Sequence, residues 1–103
     1  MMRLLALYGQ PDDTAAFDDH YWKTHVPLVR KMPHLRRFQE SRSLSSPGGE
    51  NAPYYLLAEM DYDSEEHIQE SLASQAGADA VDDLAKFATG GVTVLIADLE
   101  EAG

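Results

Sequence analysis

The chain has 103 residues, 44% hydrophobic and 25% charged, with no cysteine and a net charge of −10 at pH 7. This suits one globular domain and excludes a disulfide scaffold, a thiolate metal site and cysteine nucleophile chemistry. The acidity argues against a nucleic-acid partner; with no apolar run near the ~20 residues of a membrane span and no secretory leader pattern, the expected location is cytoplasmic, away from membranes.

Charge is unevenly spread. Residues 1–42 hold seven of the eight Lys and Arg side chains, whereas residues 43–103 hold thirteen of the eighteen Asp and Glu. The acidic half favours solubility, and the basic half suits a small anionic ligand or the acidic half of a second subunit.

Arg3-Leu4-Leu5-Ala6-Leu7-Tyr8-Gly9 is an apolar run of strand length, closed by Gly9 and Pro11. Asp12 or Asp13 offers an N-cap for a helix carrying Phe17, His20, Tyr21 and Thr24 on one stripe. Pro27 disfavours helix at Val26, so the helix is expected to end near His25, with one further turn over Leu28 to Lys31. Leu35 to Leu44 reads as a half-exposed strand, and residues 45–53 as a loop.

Tyr54 to Tyr62 is rich in strand formers, with Tyr55, Leu57, Glu59 and Asp61 alternating against Tyr54, Leu56, Ala58, Met60 and Tyr62. Asp63-Ser64-Glu65-Glu66 opens a helix bearing Ile68 and Leu72, with acidic groups where the helix dipole favours them. Gly77 is expected to break or kink it, and Ala80, Val81, Leu84 and Phe87 form the next stripe. Gly90-Gly91 turns into a last strand over Val92 to Ala97.

The order is β-α-β-β-α-β, the split pattern of an α+β, ferredoxin-like domain: a four-stranded antiparallel sheet with helices on one face. The middle strand has apolar groups on both faces. The uncovered sheet face is therefore expected to pack on that of a second copy, giving a homodimer.

His25, near the expected helix end, could act as general acid or base or bind a ligand oxygen; it could equally cap the last carbonyls. Tyr21 lies one turn before it. Tyr8, ending the first strand, could line a cavity between sheet and helices. His20 lies on or near the stripe, and Trp22 falls off it, free to cover a loop or a partner. His34 and His67 read as solvated. His20 and His25 are five apart and do not share one face of an α-helix, so no metal site is expected. No phosphate loop or nucleophile elbow is present.

The segment Phe17-x-x-x-Tyr21-Trp22-x-x-His25-x-Pro27-Leu28-Val29, followed by Pro33-x-Leu35-Arg36-Arg37, resembles the hallmark of the EthD family. Residues 1–9 and 54–99 fit that family in order and length. The resemblance implies a ferredoxin-like protomer whose sheets pair into a dimeric α+β barrel. It also implies a small-molecule cleft between helices and sheet, with His25 and Tyr21 beside it as catalytic candidates and Tyr8, Trp22 and His20 as substrate-binding ones. Members of the wider superfamily include cofactor-independent monooxygenases, isomerases, cyclases and lyases on aromatic and polyketide compounds, so no cofactor is expected. One departure is His34, which stands where the family often has glycine. The expected function is His-assisted proton transfer on a small aromatic or carbonyl compound, or binding of such a compound without chemistry.

Overall fold

The computed structural model describes residues 1–103. The strands are β1 (Met2–Gly9), β2 (Arg37–Ser41), β3 (Tyr54–Tyr62) and β4 (Val92–Asp98). They form one antiparallel sheet in the order β2-β3-β1-β4. Between β1 and β2 the chain is helical as α1 (Thr14–His20), a π turn (Tyr21–His25) and α2 (Val26–Arg30). Between β3 and β4 lie α3 (Glu65–Ala73) and α4 (Gln75–Phe87). The α+β, ferredoxin-like βαββαβ order read from the sequence is the order of the fold.

Leu4, Ala6 and Tyr8 of β1 and Leu56, Ala58, Met60 and Tyr62 of β3 are buried beneath the helices. Their alternation is the period-two pattern of a strand with one face on the core. On the opposite face, Leu5 sits between Glu59 and Leu95, and Leu7 between Leu57 and Thr93. Arg3 joins that face with hydrogen bonds to Glu59 and Asp61 at 2.8 and 2.7 Å.

Tyr55 departs from the expected alternation. The β1–β3 register slips between Tyr8 and Gly9, which pair with Leu56 and Tyr54 and leave Tyr55 as an extra residue. Such a bulge re-aims a side chain. The Tyr55 ring packs edge-on against Phe17 at 5.1 Å, and its hydroxyl donates to Asp18 at 2.9 Å. Tyr55 therefore belongs to the helix side, not to the Leu57 face.

The first helical run does not end at His25. Asp13 caps it, accepting from the Ala16 N–H, and it continues through Pro27 to Arg30. The Val26 N–H reaches back five residues to the Tyr21 carbonyl. This wider turn takes up the disturbance a proline ring makes one turn ahead of itself. It also shifts the buried stripe by one position: Phe17, Tyr21, His25, Val26 and Val29 are buried, and Thr24 is exposed. The strand expected over residues 35–44 is shorter, confined to Arg37–Ser41.

The second helical region breaks at Ser74 rather than at Gly77. Ser74 is extended (φ −72°, ψ 164°), and its hydroxyl bonds the Ser71 carbonyl at 2.6 Å while accepting from the Gly77 N–H at 3.0 Å. Gly77 lets α4 start against the end of α3. A Cβ there would stand 2.2 Å from the Ser71 carbonyl oxygen and 2.7 Å from that of Leu72. Both contacts are to backbone, so relief requires a helix to move. Gly77→Ala is expected to cost about 1–3 kcal/mol in urea denaturation; an unchanged midpoint would contradict this packing.

Candidate functional site

On an α-helix, residues five apart point about 140° away from each other. The π turn has more residues per turn and brings His20 and His25 to one side. Both meet the same carboxylate. His20 Nε2 lies 2.9 and 3.0 Å from the two oxygens of Asp83, and His25 Nδ1 lies 3.0 Å from Asp83 Oδ2. Asp83 projects from the buried side of α4 and is 2% exposed; His25 is 4% exposed. Phe87, one turn on, packs against both imidazoles at 5.1 and 4.8 Å.

Carboxylate oxygens accept, so the proton between Asp83 and His25 sits on Nδ1. Burial is the largest influence on His25 and pushes its pKa below the ordinary 6.5; the nearby His20 also lowers it, and Asp83 only partly opposes them. His25 is therefore neutral at pH 7, with its lone pair on Nε2. That nitrogen faces the Tyr8 hydroxyl at 3.3 Å. Burial, with the negative charges of Asp83 and Glu40, raises the Tyr8 pKa, so the phenol keeps its proton and donates.

Tyr21 is fully buried, edge-on to Tyr8 with ring centres 5.9 Å apart. Burial first, and then the Glu40 carboxylate beside it, raises its pKa. The Tyr21 hydroxyl and Glu40 Oε2 are both buried, and the phenol is turned toward that carboxylate.

Tyr8, Tyr21 and His25 line a cavity of about 70 Å³ between sheet and helices, and every other residue of its wall is hydrophobic. Val81 of α4 and Val94 of β4 belong to that wall and are half exposed, so they mark its mouth. Val81, on the apolar stripe of α4, thus stands at the rim while Ala80 and Phe87 are buried. The volume is below the roughly 300–1,000 Å³ of a drug-sized pocket and suits a small molecule or the reacting end of a larger one.

The remaining sequence candidates lie outside the wall. His20 stands behind His25 across Asp83, where a surface groove also holds Asp13, Lys86 and Thr89. Trp22 is 41% exposed, edge-on to Tyr21 with ring centres 5.5 Å apart, and beneath the Arg42 guanidinium at 4.7 Å. Asp83 and Glu40 were missed by the sequence reading. A signal for Asp83 was present: it falls between Ala80 and Phe87 on the apolar face of α4, an unusual place for a carboxylate.

A ferredoxin-like domain with a histidine–carboxylate pair behind a small apolar cavity is the class of protein this site defines. The EthD domain model matches residues 10–91, and the chain belongs to the EthD family. It is 42% identical over 101 residues to an uncharacterized 11.0 kDa protein from the thcB-thcC intergenic region of Rhodococcus erythropolis, covering 97% of this chain and 96% of that one. An EthD family structure from Bacillus halodurans is also 42% identical, with a TM-score of 0.90 over 97% of this chain and 99% of that one.

More distant structures share the fold alone. A dimeric ferredoxin-like protein from Thermobifida fusca is 16% identical, with a TM-score of 0.70 over 95% of this chain and 90% of that one. SnoaB, a cofactor-independent oxygenase from Streptomyces nogalater, is 10% identical, with a TM-score of 0.70 over 98% and 94%. No helix is long and apolar enough to cross a membrane.

Two outcomes test the geometry. Asp83→Asn leaves two imidazoles competing for one acceptor and is expected to cost about 1–3 kcal/mol in urea denaturation; an unchanged midpoint would mean the carboxylate does not hold them. The second concerns pH. The unfolded chain protonates His25 more readily than the native one, so the stability it contributes is complete above 6.5 and is lost as pH falls from there through the lower folded value. Midpoints should fall on acidification below pH 7, and fall less in His25→Gln. Equal pH dependence in the two proteins would contradict a neutral, buried His25.

Proposed function

We propose that the protein binds a small aromatic or carbonyl compound in the cavity and moves a proton on it, with His25 as the base. The observation that carries this reading is the His25 Nε2 lone pair, backed by Asp83 and presented beside the Tyr8 phenol in an apolar cavity. A base of this kind can remove a proton from an activated C–H or O–H, taking up the place where Tyr8 now donates. Tyr8 and Tyr21, both held protonated, can then donate to the oxyanion that develops. His20, on the far side of Asp83, would steady the carboxylate as His25 gains charge, and Trp22 would close the outer side of Tyr21.

This chemistry fits an isomerase or lyase. It fits equally a monooxygenase without cofactor, in which the substrate carbanion passes an electron to dioxygen; SnoaB, a cofactor-independent oxygenase by description, shares the fold. Binding without turnover is the second reading, favoured by the small apolar volume of the cavity.

The test is proton exchange. With a panel of small phenols, enols and ketones in D2O, the wild type is expected to exchange an acidic C–H of at least one compound. His25→Gln should lose about a hundredfold or more of that rate. Exchange should stay level from pH 8 down to 6.5 and fall at lower pH, because His25 protonates below the ordinary value. An undiminished rate in His25→Gln would refute the role of His25, and saturable binding without exchange would favour the carrier reading.

We also propose that the protein is a homodimer joined through the sheet face opposite the helices. Leu5, Leu7, Leu57 and Leu95 cluster on that face, where Leu95 is 52% exposed, and the Thermobifida fusca protein of this fold is described as dimeric. Light scattering should give twice the 11.4 kDa protomer mass, and Leu57→Asp should give the protomer mass. A wild-type monomer, or an unaltered Leu57→Asp dimer, would contradict this interface.

A further inference from the structure

The connection from α2 to β2 and the middle of α3 bring together three metal-ligating side chains away from the cavity. One ligand atom each from His34, His67 and Glu70 lie within 4.8 Å of one another. His67 and Glu70 are three apart on α3 and so share a face of the helix. His34 comes from the chain after Pro33, 33 residues before His67 in the sequence. Its ring stacks on that of His67 with centres 4.0 Å apart and planes 4° from parallel. Its Nε2 stands 3.6 Å from Glu70 Oε1, beyond hydrogen-bond length.

His34 is the one residue other than glycine with positive φ, at 68°. Glycine relaxes that backbone, and a histidine there is held against a local preference. What it delivers is an imidazole against a second imidazole and a carboxylate.

We infer that His34, His67 and Glu70 form a surface site for one divalent transition-metal ion of the zinc type. Two imidazoles and a carboxylate are a donor set that zinc takes, with water completing the shell. Bonds of about 2.0–2.2 Å in a tetrahedron place donors about 3.3–3.6 Å apart. His34 and Glu70 already stand at that spacing, the widest pair must draw in by at most about an ångström, and the parallel rings must turn so that their lone pairs converge. His34 and Glu70 are exposed and His67 is only half buried, so that motion needs no core rearrangement. The net charge of −10 favours a cation.

The ion would fasten the chain after α2 to α3. Met32, two residues before His34, and Leu72, two after Glu70, both line the cavity. Metal binding would thus tie together two walls of the cavity. This inference does not depend on what the cavity binds.

The test uses the full-length protein, stripped with a chelator and titrated with zinc chloride at pH 7.5 in a buffer that does not bind metal. The wild type is expected to take one ion per chain against a chromophoric zinc indicator, with a rise in melting temperature. His34→Gly removes one ligand and relaxes the backbone. It should melt no lower than the wild type without zinc, yet bind zinc at least about tenfold more weakly and lose the thermal shift. His67→Gln, which keeps the backbone N–H that Ser64 caps, should show the same loss of zinc binding. No saturable uptake by the wild type, or uptake unchanged in both variants, would overturn the site.

Discussion

The arrangement of this protein turns on one buried carboxylate. Asp83 lies in the middle of a helix, 2% exposed, where an unpaired carboxylate would cost several kcal/mol. Two histidines satisfy it. For both to reach it from the same helical run, that run must include a turn in which residues five apart face the same way, and the π turn at Tyr21–His25 supplies it. Pro27 follows where the altered ladder can take it, and α2 and the turn after it then carry Val29 and Met32 to the wall of the cavity. The same contact fixes the proton on His25 Nδ1 and leaves Nε2 turned toward Tyr8.

The fold supports that contact from both sides. β1 delivers Tyr8 at its last core-facing position, and Tyr8, Phe17, Tyr21 and Phe87 form a continuous aromatic cluster around the imidazoles. The cluster excludes water, so burial outweighs the attraction of Asp83 and keeps His25 neutral. It also buries the Tyr21 phenol beside the Glu40 carboxylate. A rigid apolar shell and a neutral imidazole thus border one cavity, in a chain that belongs to the EthD family.

Much of the fold was legible in the sequence because its strands carry local signals. Tyr54–Tyr62 could be bounded to the residue by its β-forming composition between a Pro-rich loop and an Asp-Ser cap. Helical periodicity located the helices but misplaced their breaks. Pro27 reads as a stop when only α-helical geometry is considered, and Gly77 reads as a breaker when its closeness to the Ser71 carbonyl is unseen. For the site, His25, Tyr21 and Tyr8 could be named from position and from the family resemblance. Asp83 shows in the sequence only as an unusual carboxylate on an apolar stripe; that it holds His25 depends on contact with a residue 58 positions away. The judgement that His20 and His25 diverge followed from assuming 3.6 residues per turn. His34 reads as solvated until its φ of 68° and its stacking on His67 are seen.

The central claim is that His25 is neutral, carries its proton on Nδ1 and accepts from Tyr8 at Nε2. Long-range ¹H–¹⁵N correlation spectra of the imidazole rings at pH 7 test it most directly, with His25 assigned through the His25→Gln variant. The account predicts one protonated nitrogen, identified as Nδ1, and an unprotonated Nε2. A ring protonated on both nitrogens, or carrying its proton on Nε2, would contradict it.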